Sequence, residues 1–192
     1  MKVSIITSVW NNKNTIEDAI KSVLSQNYSD IEYIVVDGAS SDGTIEVIKK
    51  YENKISTFVS EKDKGIYDGL NKGVELATGD IIGFLHSDDI YADENIISEV
   101  VEAFEKNNTD SIYGDLVYVD KEDTNKVFRY WKSGDYSFKK LTNGWMPPHP
   151  TFFVKKEFYD RYGKFDLSFG IAADYDLMLR MLGKYKITTS YL

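Results

Sequence analysis

An α/β fold with a mostly parallel sheet follows from three features of this 192-residue sequence. Short, β-branched apolar runs alternate with amphipathic segments across the first half, the pattern of strands joined by helical crossovers. The fourth such run, Ile81-Ile82-Gly83-Phe84-Leu85, stops at His86-Ser87 and two adjacent carboxylates, Asp88 and Asp89. A run of this kind is buried, and unpaired carboxylates are costly to bury, so the pair belongs at the strand's exposed carboxyl end. In the second half the pattern changes to two strand-like runs around a polar loop, an antiparallel hairpin added to the sheet.

Each element can be justified in turn. Val3–Val9 reads as the first buried strand. Asn14-Thr15-Ile16-Glu17 has the form of a capping box, and Ile16, Ala19, Ile20, Val23 and Leu24 recur behind it at helical spacing. Ile31–Val36 is a second strand, ending at Asp37. The turn Gly38–Gly43 leads into a helix capped by Asp42 and running to Tyr51. Thr57–Ser60 is a third strand, Ile66–Ala77 a helix stopped by Gly79, and Ile81–Leu85 the fourth strand. Ile96, Ile97, Val100, Val101 and Phe104 mark a helix on the far side. Crossovers of this length are right-handed and make the strands parallel. Ser111–Val119 and Val127–Trp131 then flank the loop Asp120–Lys126 as the hairpin. All three prolines fall in Gly144–Pro150. An apolar run, Thr151–Val154, follows, and Gly170–Asp176 opens a helix that continues to about Leu182. Thr188–Leu192 has the pattern of a last strand. No repeat, low-complexity tract or linker divides the chain, so one domain over residues 1–192 is expected.

Composition excludes several function classes. The hydrophobic content of 42% is that of an ordinary globular protein. There is no cysteine, which removes disulfides, thiolate zinc sites and thiol nucleophiles and fits a reducing compartment. The net charge of −8 weighs against a nucleic-acid partner. It also means that an anionic substrate would need a metal ion or local lysines. Val3–Trp10 is too short and too interrupted by Ser and Thr for a signal peptide, and no segment approaches the roughly 20 apolar residues of a membrane span.

Asp88-Asp89 is either a solvated loop or a site for a hard divalent ion carrying a phosphorylated ligand, at the edge where such sheets bind ligands. Asp37 is either the head of an Asx turn or an acceptor-only group facing a ligand that presents a donor. Lys64 is a surface charge or a phosphate contact helped by the following helix N-terminus. Asp174 can cap a helix, act as a base, or both. His86 and His149 are the only histidines; each is either a structural residue or a nitrogen ligand.

Five motifs stand in order: Val3–Asn12; Val35-Val36-Asp37-Gly38-Ala39-Ser40-Ser41-Asp42-Gly43-Thr44; Asp63-Lys64-Gly65-Ile66-Tyr67-Asp68 with Asn71-Lys72-Gly73; Gly79-Asp80 into Asp88-Asp89; and Ala173-Asp174-Tyr175-Asp176-Leu177. Together they resemble the family 2 glycosyltransferases, with the GT-A fold, over nearly the whole sequence. The resemblance implies an inverting transferase that moves a sugar from a nucleotide-sugar, UDP-linked by expectation, to a hydroxyl of a glycan or lipid-linked saccharide. Mn²⁺ or Mg²⁺ would be the cofactor. Residues 1–110 would form the nucleotide-binding half and residues 111–192 the acceptor side.

By the same resemblance, Thr7, Val9, Asp37, Lys64, Asn71 and Asp88 would contact the nucleotide, Asp37 through the imide N–H of a uracil-type base. Lys72 would face the same cleft. Asp89 and Asp88 would hold the metal and Asp174 would be the catalytic base; helix spacing points Asp176, two residues on, away from Asp174, so it is expected to be structural or to support the site from behind. His149 and the aromatic Trp145, Phe152, Trp131 and Tyr130, with Met146, would lie beside the acceptor cleft, where rings can stack on sugars. Two departures from the family pattern are His86, where relatives often carry an acid or Asn, and Ala173, where the first acid of a Glu-Asp pair is usual. They keep a catalytically degenerate subunit open as an alternative. A nucleotidyltransferase would need a Gly-rich basic N-terminal signature that Val3–Asn14 lacks. A non-catalytic sugar-binding module would not need Asp88-Asp89 and Asp174 together. Relatives usually run on past the final helix, so a piece of a longer, cytoplasmic protein with peripheral membrane contact is expected.

Overall fold

The computed structural model describes residues 1–192 and arranges them on one seven-stranded sheet. Its strands are β1 (Val3–Val9), β2 (Ile31–Asp37), β3 (Thr57–Ser60), β4 (Ile81–Phe84), β5 (Ser111–Tyr113), β8 (Phe153–Lys155) and β9 (Thr189–Tyr191). Two more, β6 (Leu116–Val119) and β7 (Val127–Trp131), form a separate antiparallel ribbon. The helices are α1 (Ile16–Leu24), α2 (Thr44–Lys49), α3 (Ile66–Leu76), α4 (Ile96–Asn107), α5 (Phe138–Thr142), α6 (Lys156–Tyr162) and α7 (Ala173–Met178). Across the sheet the order is β3-β2-β1-β4-β8-β5-β9, and only β8 runs against its neighbours.

Strand alternation divides the core into two layers. Ile6, Ile34, Val36, Ile82 and Phe84 face α3 and α7, while Val3, Ile5, Tyr33, Val35 and Ile81 face α1, α2 and α4. Both faces are buried, which is why β1, β2 and β4 read as nearly continuous apolar runs. Because β1 to β4 are parallel, Val9, Asp37, Ser60 and Phe84 end on one edge, with Asp37 paired to both Val9 and Ser60. No helix is long and apolar enough to cross a membrane.

Several expectations are corrected. The capping box at Asn14–Glu17 does not form: Thr15 spends its hydroxyl on the Ser87 carbonyl (2.8 Å), and Glu17 accepts from the Tyr51 hydroxyl (2.6 Å). Gly79 does not stop α3, which ends at Leu76. A Cβ there would lie 2.6 Å from Ser4 Oγ and 2.8 Å from the Lys2 carbonyl, so glycine permits close approach to β1. Asp42 accepts from Thr44 N–H (3.0 Å), but the cap residue is Gly43, and α2 is shorter than expected, with a 3₁₀ turn, Glu52–Lys54, following it.

The hairpin is not added to the main sheet. The run Ser111–Val119 breaks at Gly114-Asp115, where side chains take the bonds a ladder would use. The Gly114 carbonyl accepts from Ser133 Oγ (2.7 Å) and Thr151 Oγ1 (3.1 Å), and Asp115 accepts from Ser133 N–H (2.9 Å) and the Tyr191 hydroxyl (2.7 Å). The final helix is also not continuous: a 3₁₀ stretch, Leu167–Ala172, precedes α7, and a π-type turn, Leu179–Lys184, follows it.

Candidate functional site at the carboxyl edge of the sheet

Asp37, the last residue of β2, is buried. Its Oδ2 accepts from Ser40 N–H (3.0 Å) and Ser60 Oγ (2.6 Å), whereas its Oδ1 is buried with no partner. Leaving a buried acceptor open costs about 1–3 kcal/mol, and such groups need an explanation. In the turn after it, Ala39 lies in the left-handed region at φ 61°. Gly38 admits the Asp63 carboxylate, whose Oδ2 would lie 2.7 Å from an added Cβ. The β3–α3 loop is thereby drawn against the Asp37 turn.

The loops after β1, β2 and β4 are laced into one rim. Asn11, also left-handed (φ 48°), donates its N–H to Ser40 Oγ (2.7 Å) and accepts from Ser41 N–H (2.8 Å). Asn12 donates to Thr44 Oγ1 (2.8 Å) through its backbone and to Ser87 Oγ (2.9 Å) through its side chain. Thr7 lies below this rim, fully buried, with its hydroxyl spent on the Leu85 carbonyl (2.8 Å) and near the Tyr33 hydroxyl (3.1 Å). The Val9 carbonyl accepts from Gly38 N–H (2.9 Å). These two residues shape the floor and offer no free side-chain polar group.

Asp88 and Asp89 stand on the rim past β4. Asp88 is exposed, and Asp89 is half-buried in a turn closed by its own N–H on the His86 carbonyl (3.1 Å). Burial raises the Asp89 carboxyl above the usual range, opposed by His86 and reinforced by Asp88. Burial outweighs the attraction of His86, and a cation would supply the missing compensation. No third acidic or histidine ligand converges on the pair. Two carboxylates, with phosphate oxygens and water as the other ligands, is a donor set that suits Mg²⁺ or Mn²⁺.

A line of rings runs from this pair to Asp174. His86 and His149 have ring centroids 5.5 Å apart; His149 is packed on Phe84 (5.2 Å) and Phe165 (5.4 Å), and Phe165 on Tyr67 (5.2 Å). Burial, with His86 nearby, pulls His149 down to about 3, so its ring is neutral, and its Nε2 and the His86 Nδ1 are both buried without partners. Tyr67 donates its hydroxyl to the Ile171 carbonyl (3.2 Å), and burial plus the adjacent Asp174 charge push its phenol up to about 12. Asp174 sits in the first turn of α7, accepts from Tyr175 N–H (2.8 Å) through Oδ1, and has the Tyr67 hydroxyl beside its carboxylate. Ala172, not Asp174, is the cap residue.

The remaining candidates divide. Lys64 is exposed and makes no ion pair, so its ammonium is free at the head of α3. The Asn71 amide is consumed by the Phe165 backbone, donating to its carbonyl and accepting from its N–H (both 2.9 Å). Lys72 is held by Glu61 (2.8 Å). Asp176 binds Arg180 (2.7 Å), which also holds the Tyr162 and Lys164 carbonyls, so its role is structural. Trp145 and Met146 pack on the core, whereas Tyr130 is exposed on the ribbon. Phe165 and Tyr67 were not singled out from sequence; Tyr67 lay inside a quoted motif, while Phe165 carried no signal.

Comparison with known proteins gives consistent results. The profile of glycosyl transferase family 2 matches residues 4–168. An uncharacterized glycosyltransferase of Mycobacterium tuberculosis is 33% identical over 185 residues, covering 93% of this chain and 68% of that protein. A PGL/p-HBAD biosynthesis glycosyltransferase of Mycobacterium bovis is 26% identical over 98% of this chain and 73% of its own length. Among solved structures, S. aureus TarS in complex with UDP superposes with a TM-score of 0.76 at 20% identity, over all of this chain and 58% of that one. A Pyrobaculum calidifontis mannosyltransferase in complex with GDP-Man and Mn²⁺ gives 0.74 at 18% identity, over all of this chain and 54% of that one. The chain thus spans little more than half the length of these crystallised neighbours, and the likeness to them establishes the GT-A fold.

Proposed function

The chain belongs to glycosyl transferase family 2, and from that premise we propose that it moves a sugar from a nucleoside diphosphate donor, UDP-linked, to an acceptor hydroxyl with inversion. The observation that carries this reading is the open Oδ1 of Asp37. An acceptor-only oxygen, buried and unpaired, selects a base that presents an N–H, and the uracil imide does so. The UDP-bound state of S. aureus TarS supports the choice of base. In this reading residues 1–110 hold the donor and residues 111–192 the acceptor.

Each residue has a task. Asp37 and the Ser40 turn take the base, and Lys64 with the first N–H groups of α3 takes diphosphate oxygens. Asp88 and Asp89 are the residues that would hold Mn²⁺ or Mg²⁺; when bound, such an ion neutralises charge on the departing diphosphate. Asp174 accepts the proton of the acceptor hydroxyl while that oxygen attacks the anomeric carbon from the face opposite the diphosphate. One displacement inverts the configuration and needs no covalent enzyme intermediate. The acceptor is a hydroxyl of a glycan or of a lipid-linked saccharide.

The test is a donor screen across UDP-, GDP- and dTDP-sugars with Mn²⁺ or Mg²⁺, scoring binding, transfer and slow hydrolysis. UDP-sugars should bind best. Asp174→Asn should retain UDP binding and lose transfer by about 10²-fold or more, the scale of a general base. Full transfer by that variant would remove Asp174 from the mechanism, and preference for GDP- or dTDP-sugars would overturn the choice of UDP.

A further inference from the structure

Immediately before Asp174 the chain becomes apolar and faces water. Residues 167–173 read Leu-Ser-Phe-Gly-Ile-Ala-Ala, without a charge, in a protein that is 28% charged. Leu167 is 39% exposed, Phe169 53% and Ile171 95%. Single exposed apolar side chains are ordinary, but three within five residues set this segment apart.

The display is built into the fold. Asp166 accepts from Ser168 N–H (2.9 Å) and, through its carbonyl, from Phe169 N–H (3.2 Å). Phe165, one residue earlier, is clamped on both sides by the Asn71 amide. Gly170 makes the kink at φ 54°, ψ −125°, a conformation that suits glycine, and turns the chain between Phe169 and Ile171. Tyr67 then pins the Ile171 carbonyl (3.2 Å), so the Ile171 side chain is held outward while its backbone is tied to α3. Ile66, beside Tyr67 at the head of α3, is exposed as well.

We propose that this lip receives an apolar tail on the acceptor, so that the acceptor is amphipathic, a hydroxyl-bearing head on an alkyl or aryl tail, rather than a free hydrophilic sugar. The inference rests on Asp174 as the base. It also identifies the occupant, because the acceptor is the one reactant that must come to Asp174 in every turnover, and Ile171 is three residues away. The lip carries no charge for an anionic surface, and Ser168 is its one polar side chain; its other side chains offer hydrocarbon, worth roughly fourfold in affinity per methylene removed from water.

The test uses the full chain saturated with UDP and Mn²⁺, titrated with n-octyl β-D-glucopyranoside below its micelle concentration and with methyl β-D-glucopyranoside, binding being read by saturation-transfer NMR. The octyl glycoside should bind at least tenfold more tightly than the methyl one, with saturation on its tail. Ile171→Ser and Phe169→Ser should each remove most of that difference while leaving UDP affinity unchanged. Equal binding of the two glycosides, or an octyl preference that survives both substitutions, would overturn the proposal. So would capture by phosphatidylcholine vesicles lost in Ile171→Ser, which marks a lipid-surface contact, or a dimer lost in that variant, which marks a second copy as the occupant. Failure to bind UDP at all would instead count against the transferase reading, so the two failures are distinguishable.

Discussion

Asp37 ends β2 and Asp89 lies in the turn beyond β4, on the same rim, and their surroundings fit them for different work. Asp37 has one oxygen satisfied by Ser40 and Ser60 and one left open. Asp89 has burial that the nearby His86 does not offset. In the proposed reading the first reads a base and the second shares a cation. Asp89→Asn should therefore keep its fold and its metal-free affinity for UDP, while losing the gain that Mn²⁺ brings, which we expect to be about tenfold, the worth of one charge-assisted contact. Calorimetry with Mn²⁺ and with EDTA checks this, and an undiminished Mn²⁺ effect would remove Asp89 from the metal. The acids were legible in the sequence because each ends or opens a strongly patterned element. The commitments of Thr7 and Asn71 were not, because their partners, Leu85 and Phe165, lie 78 and 94 residues away along the chain.

Helix α3 carries Tyr67 and Asn71 to the site region, with Lys64 just ahead of it, and it does so by resting directly on β1. Gly69 and Gly73, four residues apart, face that strand: an added Cβ would lie 2.2 Å from Ser8 Oγ at the first and 2.2 Å from Ile6 Cγ2 at the second. Ile6 is wholly buried and has nowhere to move. Replacing a helical glycine by alanine ordinarily gains up to about 1 kcal/mol of helix propensity. Here overpacking should prevail, and Gly73→Ala should lose about 1–3 kcal/mol of stability. A melting temperature at or above wild type would contradict the packing argument. The strands and the main helices were readable because their apolar periods are strong. The hairpin's departure from the sheet was not, because it turns on side chains of Ser133, Thr151 and Tyr191, which come together only in the folded molecule.

In the proposed reading, stability and function lie at opposite edges of the sheet. At the amino edge Glu32, buried on β2, accepts from Lys2 Nζ (2.8 Å), Ser4 Oγ (2.6 Å), Thr78 N–H (2.7 Å) and Thr78 Oγ1 (2.6 Å). Burial alone would raise its carboxyl, but these bonds outweigh it and bring the group down to about 2. A carboxylate depressed in the folded state stabilises above its unfolded value, and that contribution fades as the pH falls. Glu32→Gln should lose about 2–3 kcal/mol at neutral pH. It should also flatten the acid limb of stability between about pH 4.5 and 2 while leaving UDP affinity unchanged. An acid limb identical to wild type would contradict this.

The carboxyl edge is the reverse case, with strain at Asn11 and Ala39 and an open acceptor on Asp37. The most direct measurement is the affinity of UDP for the wild-type chain and for Asp37→Asn. The substitution keeps an oxygen for Ser40 and Ser60 and places an amide donor where the base N–H would arrive. The account predicts that the wild type binds UDP, and that the variant binds it at least about tenfold more weakly with an unchanged melting temperature. Equal affinity in the two proteins would contradict it.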